Sequence, residues 1–359
     1  MPHYSKLLLA FLLLIIVAPS PTKAQEHPPQ LLYRKDDLLY LADAATGETS
    51  SLPNVKANGF SRWFWSPNGR YLLGLLRERG YSALRVYDIE QEQYLNDAYI
   101  EAPAYALNSA TWSPDSQMIS YSINNQFYGE LWLLELNTGE RSLLYRSPKS
   151  DIGSAVYGQW WSPSGSQLLF EDSQQIIGGS INNLRLINRF GGEAIYLHGE
   201  YYAFYDPVWS SDGNWILLTL YDTYFAGYGF KSSERGDVYV YNAKEAKSYR
   251  VTYTPYIPEN QLSWSPDNRE IQFTSQNRVY TVALENILND ASLEIPMRSE
   301  YFSQTFPFAH YEFPTPSPDR SLFLYLDKRF NIFVTDTNFC CPRRIDRVAI
   351  LADLIGWRP

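Results

Sequence analysis

Trp65-Ser66-Pro67-Asn68-Gly69 is the first member of a series that runs through the chain. The phrase returns as Trp112-Ser113-Pro114-Asp115, Trp161-Ser162-Pro163-Ser164-Gly165, Trp209-Ser210-Ser211-Asp212-Gly213 and Trp264-Ser265-Pro266-Asp267. It weakens to Pro316-Ser317-Pro318-Asp319, and a fragment, Gly356-Trp357-Arg358-Pro359, stands at the C-terminal end. Counted at the tryptophan or its equivalent, successive copies lie 47, 49, 48, 55, 52 and 41 residues apart. Self-similarity at a period of about 40–50 residues marks a repeat architecture.

Each copy has the chemistry of a tight connection between strands. Proline presets φ at the first corner, Asp or Asn bonds its own backbone, and glycine takes the positive φ that closes the turn. An alternating apolar run follows, as in Arg70-Tyr71-Leu72-Leu73-Gly74-Leu75 or Ser166-Gln167-Leu168-Leu169-Phe170. That alternation is a strand signature. Trp65, Trp112, Trp161, Trp209, Trp264 and Trp357 are too large to leave in water at every repeat. They are expected to pack between neighbouring units.

A second series of seven runs out of phase with the first. It begins with Leu39-Tyr40-Leu41-Ala42-Asp43, Leu84-Arg85-Val86-Tyr87-Asp88 and Leu131-Trp132-Leu133-Leu134-Glu135, and ends at Ile332-Phe333-Val334-Thr335-Asp336. Several members run into turn residues such as Thr46-Gly47-Glu48 and Thr138-Gly139-Glu140, as a hairpin does. Each repeat thus holds about four short strands, and no segment has convincing helical periodicity. A unit of this length and strand content is a β-propeller blade. The expected fold is all-β, a seven-bladed β-propeller of four-stranded blades, with six blades as the alternative. The N-terminal repeat lacks a first strand and the C-terminal fragment supplies one, so the last strand is expected to complete the first blade and close the ring.

The recurring phrase resembles the PD40, or WD40-like, repeat of the TolB-type propellers, over about Leu31 to Pro359. Ser116, Asn268 and Arg320 depart from the pattern where it has the turn glycine, and Pro316 departs where it has tryptophan. The resemblance covers the propeller alone. It leaves no room for the N-terminal α/β domain of TolB or for the hydrolase domain of the similar prolyl-oligopeptidase propellers. It implies that the Trp-Ser-Pro-Asp turns share one face with the third-to-fourth strand turns. The remaining connections then ring the channel on the opposite face, where binding residues gather on a rigid scaffold. It is specific for fold and says little about function.

The N-terminal residues read as an address. Lys6 precedes an unbroken apolar run from Leu7 to Val17, and Thr22-Lys23-Ala24 offers a cleavage site. Residues 1–24 are expected to be a secretory signal peptide, residues 25–30 a leader and residues 31–359 a single propeller domain. The alternative is a retained anchor, for which eleven apolar residues are short against the roughly 20 a bilayer needs. The expected product is extracytoplasmic, periplasmic or secreted, monomeric and without stable membrane insertion. Loss of Lys6 and Lys23 takes the formal charge of −9 to −11. Nothing in an acidic chain supports nucleic-acid binding, which needs a basic stripe. Cys340 and Cys341 are adjacent, and either a vicinal disulfide or two reduced thiols fits them. No zinc-site spacing surrounds them.

The binding candidates are aromatic. Tyr205 and Asp206 precede Trp209, and a long second-to-third strand loop from Tyr221 to Gly236 carries Tyr224, Phe225, Tyr228 and Phe230. Tyrosine rings with a polar tip suit recognition of a protein or peptide and stacking on sugars, and they equally suit packing on one another. A second insertion, Asp172 to Ser180, belongs to the preceding blade, where Tyr157, Gln159 and Trp160 approach the channel. His310 with Glu312 is a weaker pair. No Gly-x-Ser-x-Gly turn occurs, and only His198 and His310 lie in the expected mature domain. The leading expectation is a non-catalytic propeller that binds a protein or peptide partner, with carbohydrate as a further ligand class. The alternative is a carbohydrate-active or lactone-type enzyme that uses carboxylates such as Asp206, Glu259 and Asp353 at the channel. Calcium is the one cofactor such a site would take.

Overall fold

The computed structural model describes residues 29–57, 59–176, 179–198, 202–225, 230–252, 260–275, 278–289, 299–300, 312–319, 321–327, 329–336, 342–348 and 354–359. The expected signal peptide, Tyr228, Glu259, His310, Arg320, Cys340, Cys341 and Asp353 lie outside these residues.

Seven antiparallel sheets follow one another along the chain. Blade 1 combines Leu354–Trp357 with Gln30–Lys35, Leu38–Asp43 and Thr49–Lys56. Its first strand is C-terminal, paired Leu31 to Trp357 and Leu32 to Gly356. Blade 2 is built from Phe60–Trp65, Tyr71–Arg77, Tyr81–Asp88 and Gln93–Tyr94. Blade 3 holds Leu107–Trp112, Met118–Asn124, Gly129–Glu135 and Arg141–Arg146; blade 4 holds Ser154–Trp161, Gln167–Ile176, Gly179–Asn188 and Ile195–His198. Blade 5 holds Tyr202–Trp209, Trp215–Phe225, Phe230–Asn242 and Lys247–Arg250; blade 6 holds Asn260–Trp264, Glu270–Ser275, Arg278–Ala283 and Ser299–Glu300. Blade 7 is Glu312–Pro316, Leu322–Leu326, Asn331–Asp336 and Arg343–Arg347.

Two expectations about strands are corrected. Blade 2 has a fifth piece, Ile100–Pro103, because a short 3₁₀ turn at Asn96–Ala98 splits its outer edge in two. A short helix, Leu284–Asn289, follows the third strand of blade 6, and its Leu284 and Ile287 are buried.

The apolar alternation is explained by where each face goes. Leu72 packs in a cluster with blade 1, and its neighbour Leu73 packs in a cluster with blade 3. Leu168 and Leu169 divide in the same way between blades 3 and 5. A strand sends successive side chains to opposite faces, and the sheets of blades 1 to 5 are covered on both. Six such clusters join blade 7 to blade 1 and continue pairwise round to blade 6. Each fully buried leucine contributes roughly 1.5–3 kcal/mol.

The repeated phrase makes the turn and also locks neighbouring blades. Its serine hydroxyl donates to the Asx oxygen two residues on: Ser66 to Asn68, Ser113 to Asp115, Ser210 to Asp212 and Ser265 to Asp267, all at 2.6 Å. The same hydroxyl accepts the backbone N–H five residues on, at Tyr71, Met118, Trp215 and Glu270, at 2.9 Å in each case. The hydroxyls of Ser265 and Ser317 hold the carboxyls of Asp267 and Asp319 below the ordinary carboxylate range. These aspartates act as turn formers, as the sequence suggests.

The tryptophans pack between units as expected, and three also bond there. The Trp112 indole donates to the Phe64 carbonyl at 3.4 Å, Trp209 to Trp160 at 3.2 Å and Trp264 to Val208 at 3.0 Å. Each acceptor directly precedes the equivalent tryptophan of the previous blade. The indole nitrogens of Trp65 and Trp161 are buried without an acceptor.

Candidate functional site

The first strand of each blade is the innermost, and all seven carry the same irregularity. The pairing register slips between two and four residues before the motif tryptophan or its equivalent. One inner-strand residue is thereby extra to the ladder in every blade. Bulges bend a strand and re-aim side chains, and they recur at barrel rims and functional sites. In blade 4 the extra residue is Gly158, at φ +39°. A Cβ there would run into the ring of Trp160, so glycine lets that ring lie against the backbone.

The turns of the repeated phrase occupy one end of the inner strands. At the other end lie the second-to-third strand hairpins and the connections between blades. The stretches expected as long loops are corrected here: both are paired strands. In blade 4 the ladder continues to Ile176 opposite Gly179, and in blade 5 to Phe225 opposite Phe230. These strands have 10 to 13 residues. Their counterparts in other blades have 5 to 8. Two adjacent blades therefore raise β-ribbons beyond the rest of this end.

The predicted residues fall on this framework as follows. Tyr205 and Asp206 are in the inner strand of blade 5, with Tyr205 opposite Thr219 and Asp206 in the bulge. Tyr221, Tyr224, Phe225 and Phe230 are on the blade 5 ribbon, with Tyr221 opposite Gly236 and Tyr224 opposite Lys231. Tyr157, four residues before Trp161 as Tyr205 is before Trp209, is exposed in the inner strand of blade 4. Trp160 is part of the cluster between blades 4 and 5, and its carbonyl receives the Trp209 indole. Trp160 is thus held by packing, whereas Tyr157 keeps part of its surface, 39%, open to solvent.

Side chains that the sequence did not single out complete the surface. Tyr105, 68% exposed, lies in the connection from blade 2 to blade 3, and Ile152, 56% exposed, lies in the next connection. Phe127 is exposed at the tip of the blade 3 hairpin, with the Lys149 ammonium 5.2 Å from its ring centroid. The Ser150 amide donates to the Phe127 carbonyl at 2.9 Å, which ties this hairpin to the connection carrying Ile152. Gly153 in turn lies close to Gln175 of the blade 4 ribbon. The signal in the sequence was faint, because each residue is a lone apolar side chain among polar ones.

The electrostatics centre on blade 4. Glu171, opposite Tyr157, is half-buried, and burial first and the nearby Asp172 second push its carboxyl up to about 7. Burial and then the Glu171 charge raise the Tyr157 phenol. Asp172 turns to the other face of the strand. There it accepts from the Tyr145 hydroxyl at 2.7 Å and from Arg185 at 2.8 Å. Adjacent carboxylates on opposite faces of a strand do not converge on one ligand. Among the described residues, no three His, Cys, Asp or Glu side chains gather at metal-binding distance.

No family model matches the sequence, and no curated protein matches it. Solved structures do resemble it. The tricorn protease has a TM-score of 0.58 at 8% identity, over 88% of this chain and 33% of that one. A prolyl endopeptidase has a TM-score of 0.54 at 13% identity, over 90% of this chain and 51% of that one. An oligogalacturonate lyase in complex with manganese has a TM-score of 0.52 at 15% identity, covering 81% of this chain and 79% of that one. The chain spans only about a third and a half of the first two. At such identities the likeness is one of fold alone. These structural neighbours are β-propeller proteins, and with its own sheet order and closure this chain is a seven-bladed β-propeller.

Proposed function

We propose that this is an extracytoplasmic, non-catalytic propeller of the TolB-type repeat class, which holds a protein or peptide partner on the end opposite its Trp-Ser-Pro turns. One observation carries the reading. Tyr105, Phe127, Ile152 and Tyr157 are exposed together at that end of blades 3 and 4 and their entering connection, beside the two raised ribbons. Clustered exposed apolar side chains mark interaction surfaces, and aromatic anchors supply much of the energy at such interfaces. A closed ring of sheets keeps the anchors in place, so little ordering cost is left for binding. The divided orientation of Glu171 and Asp172 favours recognition over carboxylate chemistry.

The test compares three forms of the mature chain, immobilised and exposed to extracytoplasmic extract. They are the wild type, a Phe127→Ser/Ile152→Ser variant, and a form in which residues 223–232 of the blade 5 ribbon become a two-residue turn. Phe127 and Ile152 are exposed, and the residues removed from blade 5 extend past the strand lengths of the other blades, so the melting temperature should stay within a few degrees of wild type. Each should reduce capture of a specific partner by about tenfold or more, as loss of one or two interface anchors does. Capture that is unchanged in both altered forms would place the surface elsewhere. Screening the same forms against an oligosaccharide array separates a sugar ligand from a peptide.

A further inference from the structure

We propose that the groove between the outer parts of blades 3 and 4 is a second docking site, for an extended peptide with an apolar side chain beside a lysine or arginine. The groove lies at the turn end of the ring, away from the ribbons. It is a cavity of about 280 Å³. Met118, Leu133, Leu143 and Leu144 line it from blade 3, and Phe190 and Gly191 from the blade 4 turn. Phe190 is 80% exposed, and Leu143 on the facing strand is exposed as well. Ile195 and Tyr196 extend the exposed apolar surface along the outer strand of blade 4. A large apolar ring held in water beside an open cavity suits an incoming side chain better than it suits folding.

Charge selects the occupant. Glu135 and Glu140 line the same groove, and neither is in an ion pair among the described residues. The basic group there, Arg189, is turned toward Asp115 at 3.7 Å and lies over the Phe190 ring. The open charge is therefore negative, on a chain that is acidic overall. A cation next to the apolar anchor would meet Glu140 at the exposed rim. The outer strand of blade 3, Arg141–Arg146, ends its sheet, so its free edge can pair with an extended backbone. Strand addition supplies main-chain bonds, and pockets for alternate side chains supply specificity.

The probe is a positional-scanning library of blocked nonapeptides. It is screened against wild type, the Leu143→Ser/Phe190→Ser variant and Glu140→Lys; all three positions are exposed, so each variant should fold. Wild type should select an apolar residue with Lys or Arg beside it, by about fivefold over Asp or Glu. The double variant should lose the selection, and Glu140→Lys should shift it toward acidic neighbours. Selection of acidic neighbours by wild type, no selection at all, or selection that survives the double substitution would each overturn the proposal. So would a concentration-dependent dimer in sedimentation that the double substitution abolishes, because the groove would then be filled by a second copy. The Phe127→Ser/Ile152→Ser variant and the shortened blade 5 ribbon should leave this selection unchanged, which keeps the two surfaces distinguishable.

Discussion

At position 268 the turn needs a left-handed residue, and the chain has asparagine at φ +57° rather than glycine. The neighbouring blade explains the choice. The Asn268 side-chain oxygen accepts from the Ser211 amide at 3.0 Å and the Ser211 hydroxyl at 3.1 Å. Ser116, at φ +60°, does the same job between blades 2 and 3, accepting the Asn68 amide at 3.0 Å. These two departures from the turn glycine are thus where one blade's turn is bonded to its neighbour's. Asn268→Gly, which restores the motif, should lower stability by about 0.5–1.5 kcal/mol, because Asn already tolerates this conformation and the bonds are lost. Urea unfolding midpoints would show it, and a midpoint at or above wild type would mean the bonds contribute nothing. Glu171 gives a second residue-scale expectation. Its carboxyl titrates near 7 in the folded chain against an ordinary 4.5, so the folded state holds the proton more tightly. Stability should therefore fall as pH rises from about 4.5 through 7, by roughly 1–3 kcal/mol at most. Glu171→Gln should match wild type at pH 5, exceed it at pH 8 and flatten the profile between them. An unchanged slope in the variant would assign the pH dependence to other groups.

At the scale of the element, the blades were legible because their chemistry is local. The turn phrase needs only five residues to specify its hydrogen bonds, and the following strand shows its alternation within six. The ribbons of blades 4 and 5 were not legible as strands. Gln174-Gln175 and Ser232-Ser233-Glu234-Arg235-Gly236 are polar and poor in β-branched residues, so composition reads them as loop. Their pairing comes from register: once Leu168 faces Ile187 and Leu217 faces Val240, the ladder extends at little entropic cost to Gly179 opposite Ile176 in blade 4 and, past a register shift between Tyr221 and Thr223, to Phe230 opposite Phe225 in blade 5. The inner-strand bulges leave no trace in the sequence for a related reason. A bulge adds one residue to a strand without altering its composition, and only the pairing partner reveals it. The proposed docking surface is legible in part. Tyr157 is signalled by its place before Trp161, whereas Phe127 and Ile152 come from a hairpin and a connection that only the fold brings together.

At the scale of the molecule, the ring depends on one short strand from the far end of the chain. Trp357 is buried in a cluster with Leu31, Tyr33, Leu324 and Val334, so it joins blades 1 and 7 as well as completing a sheet. The Arg358 amide donates to the Gln30 carbonyl at 2.7 Å, and its guanidinium donates to the Gly69 carbonyl at 2.6 Å. The last residues therefore contact blades 1, 2 and 7. Without them blade 1 exposes an unpaired inner edge, and the apolar faces on both sides lose their cover. Trp357→Ala alone should cost about 3–5 kcal/mol, the usual loss for a buried tryptophan. Ending the chain at residue 353 should do more and turn one cooperative transition into a broad one. Blades that contact only their neighbours can melt from an open end. The control is a circular permutant with Pro359 joined to Pro29 and new ends between Gly191 and Gly192, where a side chain would meet nothing within 4 Å. Gln30 and Arg358 lie side by side in blade 1, so the permutant keeps every blade complete and should recover a single transition. A truncated chain that unfolds as sharply as wild type, and at the same denaturant concentration, would show that the ring is held by blade-to-blade packing alone and owes nothing to its closure.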